Sequence, residues 1–217
     1  MITLQDLDLF LIEVDEPSEG KSHGEPHYGG DQDWFRHPFY RRAGCGATTT
    51  ANITNYLASR GQCEGNCYSC LANVDNTRHW SGFLTHMETV VPHVHPGPLG
   101  VLTPDFEKGA LDYAKKMGAS ELRTVALYVH TKPRERPSFD ETVAFITKYI
   151  TDDLPVAWVN YSNGGVANLD NYHWVTIVGI DAQQGEVLIV DNAFMHRVNL
   201  KEWLRASTLG GAFVALY

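Results

Sequence analysis

Three residues of this 217-residue chain could together perform nucleophilic chemistry: Cys45, His173 and Asp191. Cys45 stands in Arg41-Arg-Ala-Gly-Cys-Gly-Ala-Thr48, where a helical pattern begins. A thiol in the first turn of a helix meets free N–H groups and the positive end of the helix dipole, both of which favour a thiolate. Two arginines upstream add to that field, and the flanking glycines leave the sulfur approachable. Alone, such a cysteine is equally a small buried hydrophobe. His173 opens a run rich in Val and Ile, His173-Trp-Val-Thr-Ile-Val-Gly-Ile-Asp181, and Asp191 ends the next, Glu186-Val-Leu-Ile-Val-Asp191. A hairpin closing near Gln183–Gly185 brings the two outer ends together, so His173 neighbours Asp191 or Asn192. A carboxylate or amide there would orient the imidazole, and an imidazole within reach of a thiol activates it. Side chains alternate along a strand, so only one of residues 191 and 192 faces the ring. Both faces are apolar and alternation does not choose. Chemistry favours Asp191, because an anion stabilises an imidazolium more than an amide does.

These residues need elements to hold them. Residues 15–44 are rich in Gly, Pro, His and Asp and have no periodicity, which predicts a long loop. From Cys45, the small residues Ala47, Thr50, Ala51, Thr54 and Ala58, with Leu57, recur at three- and four-residue intervals, with Gly61 just beyond. This predicts a central helix of about four turns with a face that neighbours can approach closely. A second helix is expected over 77–91, stopped by Pro92 and Pro96. A third opens with Thr103 as N-cap and Pro104 in its first turn. A fourth starts at the capping box Ser138-Phe-Asp-Glu141. From Pro155 the texture is β: Val156–Asn160, His173–Asp181, Glu186–Asp191 and Ala212–Tyr217, with a short helix capped by Asn199. Helices followed by antiparallel strands predict an α+β fold of two lobes rather than alternating α/β. One domain is expected over 1–217: an N-terminal extension (1–44), a helical lobe (45–154) and an antiparallel β lobe (155–217).

A cysteine on a central helix, a histidine 128 positions later and an aspartate on the following strand resemble the papain-like cysteine peptidases. The segments Gly44-Cys-Gly-Ala-Thr-Thr, Tyr172-His-Trp-Val-Thr-Ile-Val-Gly-Ile-Asp and Val190-Asp-Asn are most similar to the bacterial branch related to double-glycine leader peptidases, from about residue 37 to the C-terminus. The resemblance implies a two-lobe papain-like fold, a Cys45–His173–Asp191 triad, acyl transfer through a thioester on a peptide or amide substrate, and no cofactor. It again favours Asp191 over Asn192. Two positions depart from the pattern. The glutamine six residues before the cysteine, side-chain donor to the oxyanion hole, is replaced by Phe39, with His37 and Tyr40 as the nearest polar alternatives. The aspartate is followed by Asn192 where that branch tends to have proline. A lost oxyanion donor costs a factor of about 10²–10³ in rate. A catalytically degenerate binding domain, or an acyltransferase or amidase on the same scaffold, is therefore the competing expectation.

A third expectation rests on Cys63-Glu-Gly-Asn-Cys-Tyr-Ser-Cys70. Its C-x3-C-x2-C spacing resembles the iron–sulfur motif of radical S-adenosylmethionine enzymes, but the alternating strand–helix pattern of those enzymes is missing. A zinc site completed by His79 is the other option, and free thiols in a loop the simplest. His79, His86 and His93 are seven apart and could share a helical face, and His93-Val-His95 could chelate a metal from a strand. The simpler reading is a solvated histidine-rich stretch, and no metal is expected at the candidate site.

The net charge of −9, from 26 acidic and 17 basic residues, disfavours nucleic acid and anionic membrane surfaces. No run approaches the roughly 20 apolar residues of a transmembrane helix. Residues 1–10 have no basic region followed by an apolar stretch, so no secretory signal is expected. Four cysteines in a chain of this length are not a disulfide scaffold, which points to a reducing cytoplasm.

Overall fold

A computed structural model describes residues 1–16, 19–22, 24–60, 68–72 and 76–217. Along the chain run β1 (Ile2–Thr3), β2 (Leu11–Ile12), β3 (His27–Tyr28), α1 (Tyr40–Ala43), α2 (Cys45–Ser59), α3 (Trp80–Val94) and α4 (Thr103–Met117). There follow β4 (Thr124–Val129), α5 (Phe139–Thr151), β5 (Val156–Asn160), β6 (His173–Asp181), β7 (Glu186–Asp191), β8 (Phe194–Asn199), α6 (Leu200–Ala206) and β9 (Gly211–Leu216). Helices dominate the first part and antiparallel strands the second, as the order of patterns predicts for an α+β fold.

Helix α2 is the axis of the molecule. Every residue from Cys45 to Leu57 is buried, and α3 and β6 pack against it. A helix this deep in the core must satisfy its polar side chains internally. Thr50 donates to the Gly46 carbonyl at 2.8 Å, Thr54 to the Thr50 carbonyl at 2.8 Å, and Asn52 to Thr176 Oγ1 at 3.3 Å. The helix ends at Arg60; Gly61 lies outside the described residues.

The main sheet has the strand order β4-β9-β5-β6-β7-β8, all antiparallel, with β1 paired to the far end of β6. Strands β5 to β8 form the expected meander. The last strand does not extend it: β9 returns across the sheet to lie between β4 and β5. Among the described residues, five strands were not expected: the two-residue β1, β2 and β3, of which β3 lies in the stretch read as a loop, and two longer ones. Thr124–Val129 falls within the stretch read as helical, and Phe194–Asn199 continues the chain from Asp191 through a two-residue turn. The former gives a short apolar run in which only Val129 is buried, so its burial leaves no clean alternation.

Three helix boundaries also shift. Helix α3 begins at Trp80 and runs through Pro92 to Val94, because a proline in the last turn forfeits one bond that packing replaces. It ends at His95 in a left-handed conformation. Helix α4 is capped by Leu102 rather than Thr103; Thr103 is buried, with its hydroxyl 3.2 Å from that of Tyr161. The capping boxes at Ser138 and the Asn199 cap form as predicted.

Candidate active site

Cys45 opens α2, and the chain reaches it through the single turn of α1 and Gly44. Gly44 admits no side chain: a Cβ there would stand 2.4 Å from the Tyr40 carbonyl and 2.5 Å from the Phe35 ring. On the other side, a Cβ on Gly46 would lie 3.0 Å from Val101. The two glycines therefore let the helix start close beneath its neighbours, as well as leaving the sulfur uncrowded. Val101 is held there by Trp174, whose indole N–H donates to its carbonyl at 2.8 Å and whose ring stacks on Phe106 at 4.0 Å.

His173 begins β6. Thr176 pairs with Val190 across the hairpin, which places Asp191 beside the start of β6 as the closing of the hairpin requires. His173 Nε2 donates to Asp191 Oδ1 at 2.7 Å. Cys45 lies beside the ring, near enough to act on its charge. With Nε2 turned to the carboxylate, Nδ1 is the nitrogen left for the sulfur. Burial works against a charged imidazole, but the Asp191 carboxylate outweighs it by charge and hydrogen bond, and the nearby Cys45 adds to the effect. His173 is therefore held protonated well above the usual histidine range. The fully buried Asn160, opposite His173 in register, donates from Nδ2 to the His173 carbonyl at 3.4 Å.

The three residues singled out in the sequence thus meet at one point. Asn192 turns elsewhere: its Oδ1 accepts from the Gln32 backbone N–H at 3.4 Å. Asp191 also lines a cleft of 620 Å³ with Asn163, Asn168, Asp170, Asn192 and His196.

The polar alternatives to Phe39, His37 and Tyr40, pack against each other at the start of α1. Exposed His37 accepts from the Phe39 N–H through Nδ1. A glutamine that a six-residue spacing does not reach is Gln32, thirteen positions before Cys45. It lies in a 3-10 turn (Gln32–Trp34), and its Nε2 donates to the Arg41 carbonyl at 3.1 Å, one turn ahead of the cysteine. Its Oε1 is buried without a partner. The intervening residues 35–44 include the single turn of α1, and the Gln32 side chain still reaches the Arg41 carbonyl across them. A glutamine in an aperiodic loop gives no signal of this.

Cys63 and Cys67 lie outside the described residues, and Cys70 stands partly exposed in a 3-10 turn. Among the described residues no group of three or more His, Cys, Asp or Glu side chains could hold a metal ion. His79 pairs with Asp15 at 3.4 Å. His93 and His95 sit at the end of α3, not on a strand. His86 is fully buried and belongs to the core.

No helix among the described residues is long and apolar enough to cross a membrane. A comparison with curated proteins finds no match. Solved structures with a similar arrangement include a double-glycine-motif protease from an AMS/PCAT transporter in complex with its leader peptide. That structure is 16% identical with a TM-score of 0.40, over 79% of this chain and 82% of that one. Another is described as a C39-like peptidase from Bacillus anthracis, 16% identical with a TM-score of 0.42, over 80% of this chain and 88% of that one. The sequence profile of the Peptidase_C39-like family matches residues 31–210, which include Cys45, His173 and Asp191, and the chain belongs to that family.

Proposed function

We propose that the protein is a cysteine peptidase that cleaves peptide or amide bonds with Cys45 as nucleophile, His173 as general base and acid, and Asp191 as orienter. The observation that carries this reading is the imidazole held between a carboxylate at 2.7 Å and the thiol at a helix start. Within the Cys45–His173 pair the proton rests on the ring, and the sulfur adds to the substrate carbonyl. The carbonyl π pair moves to oxygen, for which this reading assigns the Cys45 backbone N–H and the Gln32 side chain as donors. One of the two Gln32 amide protons engages Arg41 and the other is available. The imidazolium then protonates the departing amine as the C–N bond breaks, leaving a thioester on Cys45. Water, deprotonated by His173, releases the acid and restores the thiol.

The chemistry needs a reduced thiol, which suits a reducing compartment such as the cytoplasm. Residues 1–217 act in this reading as one domain. Incubation with a randomised peptide library, read by mass spectrometry, tests it. Wild type should create new termini that Cys45→Ala does not. Equal cleavage by both would contradict the assignment, and intact peptides with an unreactive Cys45 would leave a binding domain.

A further inference from the structure

The turn after Asp191 is unusual. Asn192 and Ala193 both have positive φ, 42° and 65°, giving the tight β7–β8 connection. Asparagine enters this region readily, but a buried alanine there is strained. The N-terminal segment holds it in place. The Tyr28 N–H donates to the Ala193 carbonyl at 2.8 Å, and the Ala193 N–H to the Gly30 carbonyl at 3.2 Å.

The clamp is itself wedged. A Cβ on Gly29, whose φ is 69°, would stand 2.6 Å from Val190 Cγ1 and 2.7 Å from Asn52 Oδ1. The Gly30 N–H donates to Asn52 Oδ1 at 2.9 Å, and Asn52 in turn donates to Thr176. Two residues further on, the clamp delivers Gln32, whose N–H reaches Asn192 Oδ1. One tight turn therefore carries Asp191 on its strand side and grips the backbone of Gln32 through the next side chain.

We propose that Asn192 is a positioning residue that couples the Asp191–His173 pair to Gln32. Its side chain fixes the Gln32 backbone, and so the Gln32 amide, relative to Cys45. The inference rests on the peptidase reading and on Gln32 as oxyanion donor. It also accounts for asparagine at 192, since proline cannot adopt a φ of 42°.

Two reagents separate the roles. Iodoacetamide alkylates the sulfur without forming an oxyanion. The short aldehyde acetyl-Gly-Gly-aldehyde adds the thiol reversibly, forming an S–C bond while the carbonyl oxygen becomes an oxyanion and then takes a proton. Asn192→Gly keeps the left-handed turn and removes the amide. It should alkylate within about twofold of wild type with the same pH profile, yet bind the aldehyde roughly tenfold more weakly. Gln32→Ala should weaken the aldehyde as well, and the double variant should lose nothing further. Asn192→Asp, which keeps an acceptor, should restore aldehyde binding. Unchanged aldehyde binding in Asn192→Gly, or losses that multiply in the double variant, would overturn the coupling while leaving the peptidase reading intact. A wild-type Cys45 that iodoacetamide does not label would overturn both.

Discussion

At the scale of single residues, the geometry separates two neighbours that strand alternation left equivalent. Asp191 faces the His173 ring and Asn192 faces Gln32. Asp191→Ala should therefore reduce Cys45 alkylation near neutral pH, while Asn192→Ala leaves most of it; the reverse ranking would show the wrong neighbour had been assigned. A linkage consequence follows for the buried pair. The folded-state value of His173 is raised, so its contribution to stability is fully present below the ordinary imidazole value of about 6.5 and is lost as pH rises through the elevated one. Urea unfolding from pH 6 upward should show this alkaline loss, and Asp191→Asn should move it to lower pH. The thiol, the imidazole and the carboxylate were legible because each sits at the end of a strongly patterned element. Gln32 was not, because its position depends on the path of residues 35–44, and no spacing rule describes a path through a loop.

At the scale of elements, the contact between α2, α3 and α4 contains a second histidine with the opposite titration. His86 is fully buried, donates from Nε2 to the Ala51 carbonyl at 3.2 Å, and lies 3.0 Å from Thr54 Oγ1. Burial pushes its pKa down to about 4. The unfolded chain binds this proton first, so stability present above pH 6.5 is lost as pH falls toward about 4. The loss approaches about 3 kcal/mol at full shift. Denaturation between pH 7 and 4 should show that slope, and it should flatten in His86→Gln; an equally steep slope in the variant would place the acid sensitivity elsewhere. The entry to α2 is the other sensitive joint. Gly44→Ala should destabilise by about 1–3 kcal/mol and slow Cys45 alkylation, because the new methyl must displace the Tyr40 carbonyl or the Phe35 ring. Thermal unfolding and labelling rates measure the two effects together. Helix interiors and caps such as Ser138 were readable from local chemistry. The continuation of α3 through Pro92 was not, since tertiary packing overrode a local stop signal.

At the scale of the whole molecule, the departure from expectation is the return of β9 between β4 and β5. Sequence pattern identifies strands but not which strands pair at long range. The consequence is that the C-terminal strand joins the helical and β parts of the chain. Phe213 is fully buried against Trp158 and Trp203 in that strand. Phe213→Ala should cost about 3–5 kcal/mol, seen as a lowered urea midpoint. A cost below about 1 kcal/mol would mean that β9 is not integral to the core. The arrangement also puts Cys45 and Cys70 in different surroundings, which allows a direct test within one chain. Cys45 is buried at the candidate site, and Cys70 is partly exposed in a 3-10 turn. Limiting iodoacetamide near neutral pH, followed by peptide mapping, gives the two alkylation rates in the native protein. A nucleophile activated by His173 should react faster at Cys45 despite its burial, and lose that advantage in His173→Ala. Faster labelling of Cys70 in the wild-type protein, with no change at Cys45 on removing His173, would contradict the account.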